Sequence, residues 1–171
     1  MTTPLDPAGL LRELHSAGIK YILIGGLAVN AHGVIRSTKD VDICPSPDAA
    51  NLARLAGLLQ RLGVRQLGVG DGGFAAKEFP FDPTRAGDLA QGGNFRLETP
   101  LGVLDVMQWV PGIDADQAYA ILAADAQPAS AFGIELRVCS LPALRLMKYA
   151  AGRPQDLQDL ADLEIAHPEA T

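Results

Sequence analysis

The apolar and polar positions of this chain fall into two alternating periods. Leu10, Leu11 and Leu14 share one face of a helix predicted over 7–17, with Gly18 as its stop. Residues 20–24, Lys-Tyr-Ile-Leu-Ile, read as a buried strand because aromatic and β-branched residues run together. Gly25-Gly26 ends that strand, and Leu27 to His32 resumes as one or two helical turns closed by Gly33. From Lys39 to Cys44 the period is two, so Val41 and Ile43 point one way and Asp40 and Asp42 the other. Ser46-Pro47-Asp48 opens the next helix, with Ser46 as N-cap candidate, Pro47 at its first position and an acid in its first turn. Leu52, Leu55, Leu59 and Leu62 form its apolar stripe, and Gly63 ends it.

The second half is less regular. Val64 to Val69 reads as a weak strand, and the glycine-rich residues 70–93 as a long loop or broken hairpin. Phe95 to Glu98 and Val103 to Trp109 form a predicted hairpin around Thr99-Pro100-Leu101-Gly102. A helix over 114–124, a last strand over 134–139 and two helices over 140–151 and 155–166 follow. Ser140 caps the first of these two, and Gly152-Arg153-Pro154 separates them. Strands and helices that interleave in this way predict an α/β fold, a small mixed sheet flanked by helices. Residues 1–139 would be the core, and residues 140–171 a C-terminal helical extension of the same domain.

Composition narrows the class. With 171 residues, 48% of them apolar and 20% charged, the chain is long enough to bury a core. Fibres, coiled coils, disulfide scaffolds and membrane proteins are excluded. Lys and Arg total 14 against 20 Asp and Glu, a formal charge of −6, so strong non-specific nucleic-acid binding is not expected. Cys44 and Cys139 make neither a metal-ligand spacing nor a redox pair and read as two buried free thiols. The first residues lack the basic and apolar regions of a signal peptide. The apolar run Tyr21 to Val29 is shorter than the ~20 residues a bilayer requires, so no membrane role and a cytoplasmic location are expected.

Candidate chemistry lies in two segments. A glycine pair at a strand-to-helix corner admits a ligand close to the backbone, and the following helix start offers N–H groups to phosphate. Asp40 and Asp42 lie on one face of a strand, where two like charges raise a pKa unless a cation neutralises them. Mg²⁺ takes such hard oxygen ligands together with substrate phosphates. A merely solvated strand face also has this pattern. The 13 residues between Gly26 and Asp40 are enough for a helix and a return into the neighbouring strand, which brings corner and acids to one sheet edge. Arg36, in that return, is either a phosphate contact or a surface residue. Asp105 lies in an otherwise apolar strand; it is either a partly exposed edge acid or a buried one whose cost a cation shared with Asp40 and Asp42 would relieve. His32 reads as a helix closer and Trp109 as a hairpin packing residue. Arg145, Lys148 and Arg153 read as surface ion-pair partners of Asp156 and Asp159.

Gly25, Gly26, Asp40, Asp42 and Asp105 together resemble the signature of the nucleotidyltransferase superfamily related to DNA polymerase beta. The run from Gly25-Gly26-Leu27-Ala28 through His32-Gly33, Arg36, Thr38, Asp40 and Asp42 is similar to small bacterial members, the abortive-infection toxin and aminoglycoside nucleotidyltransferases. The stretch Lys148 to Leu157 resembles their C-terminal helices. The resemblance implies a nucleotidyltransferase fold and transfer of an NMP from an NTP to a hydroxyl acceptor, on tRNA, a protein or a small molecule. It implies that Asp40, Asp42 and Asp105 are catalytic and hold Mg²⁺, with two ions in the full site. Gly25, Gly26, Arg36 and Lys148 would hold the nucleotide. Gly26 stands where many members have Ser, so Ser37 or backbone N–H groups would take over that contact. A cognate toxin or antitoxin is a further implied partner. The rival expectation is an inactive relative that binds a nucleotide or a toxin–antitoxin partner.

Overall fold

The computed structural model describes residues 3–67 and 81–169. In chain order it contains α1 (Pro7–Ser16), β1 (Tyr21–Ile24), α2 (Gly25–Ala31), β2 (Asp40–Pro45), α3 (Ala49–Leu62), β3 (Arg65–Gln66) and α4 (Ala86–Leu89). Then come β4 (Asn94–Thr99), β5 (Gly102–Met107), α5 (Ala118–Ala124), β6 (Gln127–Ala131), β7 (Ile134–Val138), α6 (Leu141–Ala151) and α7 (Pro154–Ala166). The seven strands form one mixed sheet in the order β3-β4-β5-β2-β1-β7-β6.

The central strands set the geometry of the site. β2 runs antiparallel to β1, with Ile24 opposite Asp42, and parallel to β5, with Asp42 opposite Asp105. β4 and β5 are antiparallel, with Arg96 opposite Asp105. Leu10, Leu14, Ile22, Val41, Ile43, Leu55, Leu59, Leu97, Leu104 and Val106 are buried together beneath this sheet and its helices. The odd positions of β2 therefore anchor it in the core and leave its even carboxylates on the other face. Among the described residues, no helix is long and apolar enough to cross a membrane.

Several elements differ from the sequence reading. α3 begins at Ala49, and its N-cap is Asp48, not Ser46: the Asp48 carboxylate accepts the Ala50 N–H at 3.1 Å. The Ser46 carbonyl is held by the buried Asn51 side chain, which also bonds Lys20, so this segment is tied to the turn before β1 instead of entering the helix. α2 starts directly at Gly25, without a gap after β1. The helix predicted over 114–124 is α5, starting at Ala118. β6 was not expected. It contains Pro128 and, among the described residues, pairs with β7 at the sheet edge, where a proline is tolerated. Of the weak strand over 64–69, Arg65–Gln66 is strand, while residues 68 and 69 lie outside the described residues. The predicted loop over 70–93 is described only from Phe81 and includes α4.

Candidate active site

The register explains why three distant acids meet. Asp42 and Asp105 are direct neighbours across parallel strands, and Asp40 lies two residues along on the same face. One carboxylate oxygen from each of Asp40, Asp42 and Asp105 lies within 4.8 Å of the others. Desolvation first, then the charges of Asp40 and Asp105, pushes the Asp42 pKa well above the usual carboxylate range. Asp105 is pushed up to about 6 by desolvation and the Asp40 charge, with Arg96 pulling the other way. Three hard oxygen donors in a cluster short of positive charge are the donor set that Mg²⁺ or Mn²⁺ takes. The residues present fit a divalent cation.

The glycine corner abuts this cluster. β1 ends opposite Asp42, and the chain turns into α2 at Gly25 with φ +69°. A Cβ on Gly25 would stand 2.0 Å from Asp42 Oδ2. A side chain at 25 is excluded both by conformation and by the carboxylate. A Cβ on Gly26 would stand 2.6 Å from Thr38 Oγ1 and 3.2 Å from an Arg36 guanidinium nitrogen. The return loop is thus folded against Gly26. Asn30 pins it there, its side-chain amide donating to the carbonyls of Val34 at 2.8 Å and Arg36 at 3.0 Å. Ser37 is exposed in this loop, and its carbonyl accepts from Arg36.

Arg36 is held from the far side. Its Nε lies 2.7 Å from Asp159 Oδ1, and a second guanidinium nitrogen donates to Oδ2 at 3.0 Å. Lys148 Nζ lies 2.8 Å from Asp159 and 3.1 Å from Asp156. Asp156 also accepts from the Arg153 guanidinium at 2.8 Å. Asp159 is 0% and Lys148 7% exposed, so this is a buried ion cluster and not the expected surface pairing of consecutive helices. Burial would raise the Asp159 carboxyl, yet hydrogen bonds from Lys148, Arg36 and Gln155 outweigh it and hold the pKa low. Without Lys148, Asp159 keeps the Arg36 fork and Asp156 the Arg153 guanidinium, so neither carboxylate is stranded, but two charge-assisted hydrogen bonds are lost. Lys148→Met is therefore expected to lower unfolding stability by about 1.5–3 kcal/mol, the scale of hydrogen bonds to charged groups, in denaturant titrations. A Lys148 that served the nucleotide alone would leave that value unchanged.

Arg96 was missed by sequence reasoning. One guanidinium nitrogen donates to Asp105 Oδ2 at 2.8 Å and to Asp40 Oδ2 at 3.1 Å. The signal was present: a turn at Pro100-Leu101 pairs 99 with 102 and therefore 96 with 105. His32 caps α2 as expected, with Nε2 2.8 Å from the Cys139 carbonyl oxygen. Trp109 packs over Gly92 beside the β4–β5 hairpin. Cys44 and Cys139 are buried free thiols, each raised to about 12 chiefly by burial.

The crowded acids make metal-free stability depend on pH. The folded-state pKa values of Asp42 and Asp105 lie above those of an unfolded chain, so the folded form binds the extra protons. The Asp105 contribution is present below about pH 4 and lost as pH rises through about 6, and that of Asp42 has the same sign. The metal-free protein should melt at a higher temperature near pH 5 than near pH 7.5. Added Mg²⁺ should raise the melting temperature mainly at the higher pH, as thermal melts would show.

No family model matches the chain, and no curated protein matches it. Solved structures do. It is 19% identical to the antibiotic-resistance factor ANT(2'')-Ia in solution, covering 96% of this chain and 84% of that one, with a TM-score of 0.54. It is 14% identical to the lincosamide antibiotic adenylyltransferase LnuA with lincomycin bound, covering 95% and 98%, with a TM-score of 0.57. ANT(2'')-Ia in complex with adenylyl-2''-tobramycin aligns at 19% identity over 93% and 88%, with a TM-score of 0.54. The chain has the nucleotidyltransferase fold of these aminoglycoside and lincosamide enzymes, with an acidic triad at the centre of its sheet.

Proposed function

We propose that this chain is a Mg²⁺-dependent nucleotidyltransferase that moves an NMP from an NTP to a hydroxyl acceptor. The observation that carries this reading is the convergence of Asp40, Asp42 and Asp105 beside Gly25, a position where no side chain fits. Asp40 and Asp42 would hold a divalent cation, and Asp105 would join them for a second. Bound there, such ions would supply charge neutralisation for an in-line displacement at the α-phosphate in which pyrophosphate leaves. Asp105 takes the proton of the acceptor hydroxyl. Gly25 brings the backbone at the start of α2 against the acids, where the triphosphate would lie, Gly26 lets the return loop close behind it, and Arg36 and Ser37 in that loop orient the phosphate oxygens. Lys148 acts on the nucleotide by holding Asp159, and through it the Arg36 fork.

A small hydroxylated molecule is the acceptor class we favour over tRNA or protein. A formal charge of −6 gives poor attraction for a polyanion. Two similar structures carry lincomycin and an adenylylated tobramycin. The test is to incubate the protein with Mg²⁺, a cell extract and each NTP, labelled at either the α- or the γ-phosphate. Label from the α-position alone should reach a small-molecule fraction, and the Asp40→Asn plus Asp42→Asn protein should transfer none. Label on RNA or protein would replace the acceptor class. No label with any NTP would leave a nucleotide- or partner-binding module of the toxin–antitoxin kind.

A further inference from the structure

Arg96 occupies an unusual position. It lies directly across from Asp105 on β4, in the cross-strand row that continues through Asp105 to Asp42. A single guanidinium nitrogen bridges Asp105 at 2.8 Å and Asp40 at 3.1 Å. These carboxylates come from different strands, and the space between them is where a cation shared by Asp40 and Asp105 would sit. Asp42 is the acid of the triad that Arg96 does not touch, and no ion pair to it is found among the described residues. The Arg96 side chain is 40% exposed, so it has room to swing towards solvent.

We infer that Arg96 is an internal counter-ion that competes with a divalent cation for Asp40 and Asp105, so that metal entry requires its displacement. The inference rests on the metal-binding reading of the triad and adds to it a residue that sets metal affinity. Its physics is elementary. The folded protein reaches its metal-free state with three carboxylates in contact distance, and one guanidinium offsets part of that repulsion. A divalent cation bound to the same oxygens carries more charge and repels the guanidinium, so both cannot keep the same contacts. The hydrogen bonds given up by Arg96 are subtracted from the metal's binding free energy. Arg96 thereby keeps the site folded without metal and lowers its affinity for metal.

The test uses the whole chain and Mn²⁺ alone, titrated calorimetrically and by electron paramagnetic resonance, with no nucleotide present. Arg96→Met, which keeps the aliphatic stem, should bind Mn²⁺ about tenfold more tightly than the wild type, the scale of one charge-assisted hydrogen bond no longer lost on binding. It should also melt at a lower temperature without metal, and Mn²⁺ should restore more than the deficit. Arg153→Gln removes a guanidinium whose charge is felt by Asp40 and Asp42 but whose hydrogen bonds go to Asp156. It should change Mn²⁺ affinity less than Arg96→Met does. Equal effects from the two arginines would reduce the role of Arg96 to general charge and overturn the inference. So would unchanged or weaker Mn²⁺ binding by Arg96→Met while Asp40→Asn abolishes it in the wild-type background. Absence of Mn²⁺ binding in both wild type and Arg96→Met would overturn the metal-binding reading itself, and the inference with it.

Discussion

Asp42→Asn should give a protein that melts at a higher temperature than the wild type when metal is absent and that transfers no nucleotide. The two effects have one cause. Asp42 is desolvated and faces the carboxylates of Asp40 and Asp105, which is why its pKa is raised. An amide of the same shape removes a charge that the metal-free fold accommodates at a cost. It also removes an anionic ligand that the cation requires. Turnover should fall by about 10²–10³-fold or more, the scale on which an electrostatic stabiliser of a transition state contributes. The rise in melting temperature caused by Mg²⁺ should disappear with it. Differential scanning calorimetry with and without Mg²⁺, alongside an assay of pyrophosphate release, measures both. A destabilised Asp42→Asn protein would mean that the carboxylate is a structural partner and not a strained functional one.

The second large effect is expected at Gly25. Replacement by Ala places a methyl group 2.0 Å from Asp42 Oδ2 in a backbone with φ +69°, so strain and clash add. The loss should exceed about 2 kcal/mol of unfolding free energy and should abolish metal-dependent nucleotide binding. Combining Gly25→Ala with Asp42→Gly should recover the part due to the clash and leave the part due to φ, which makes the pair non-additive in a double-mutant cycle. Gly26→Ala should cost less. Its Cβ meets the Thr38 hydroxyl and the end of Arg36, both on side chains in a loop.

Much of this site was legible in the sequence, for definite reasons. The alternation of Asp40 and Asp42 with Val41 and Ile43 forces both acids onto one face once the apolar pair enters the core, and it does. The spacing from Gly26 to Asp40 is just what α2 and its return loop consume. Asp105 could be singled out because an acid among Leu104, Val106 and Val103 needs a partner, and the parallel pairing of β2 with β5 supplies one. Other features had weaker local signals. The run Gln127-Pro128-Ala129-Ser130 lacks the β-branched residues that mark a strand, and its pairing partner among the described residues is β7. The Lys148, Asp156 and Asp159 cluster looked like solvated helix faces. It is buried because α7 docks on α6 and the Arg36 loop, a tertiary fact with no periodicity to announce it. Arg96 required the register of the hairpin and the paired strands, not only the presence of strands.

The most direct measurement is a calorimetric titration of the wild-type protein with a non-hydrolysable NTP analogue, carried out once in Mg²⁺ and once in EDTA. Binding should be seen in Mg²⁺, be lost in EDTA, and be lost in Mg²⁺ when Asp40 and Asp42 are both changed to Asn. Equal binding with and without the metal, or binding untouched by the double substitution, would contradict the assignment of these acids to a cation that joins protein and triphosphate.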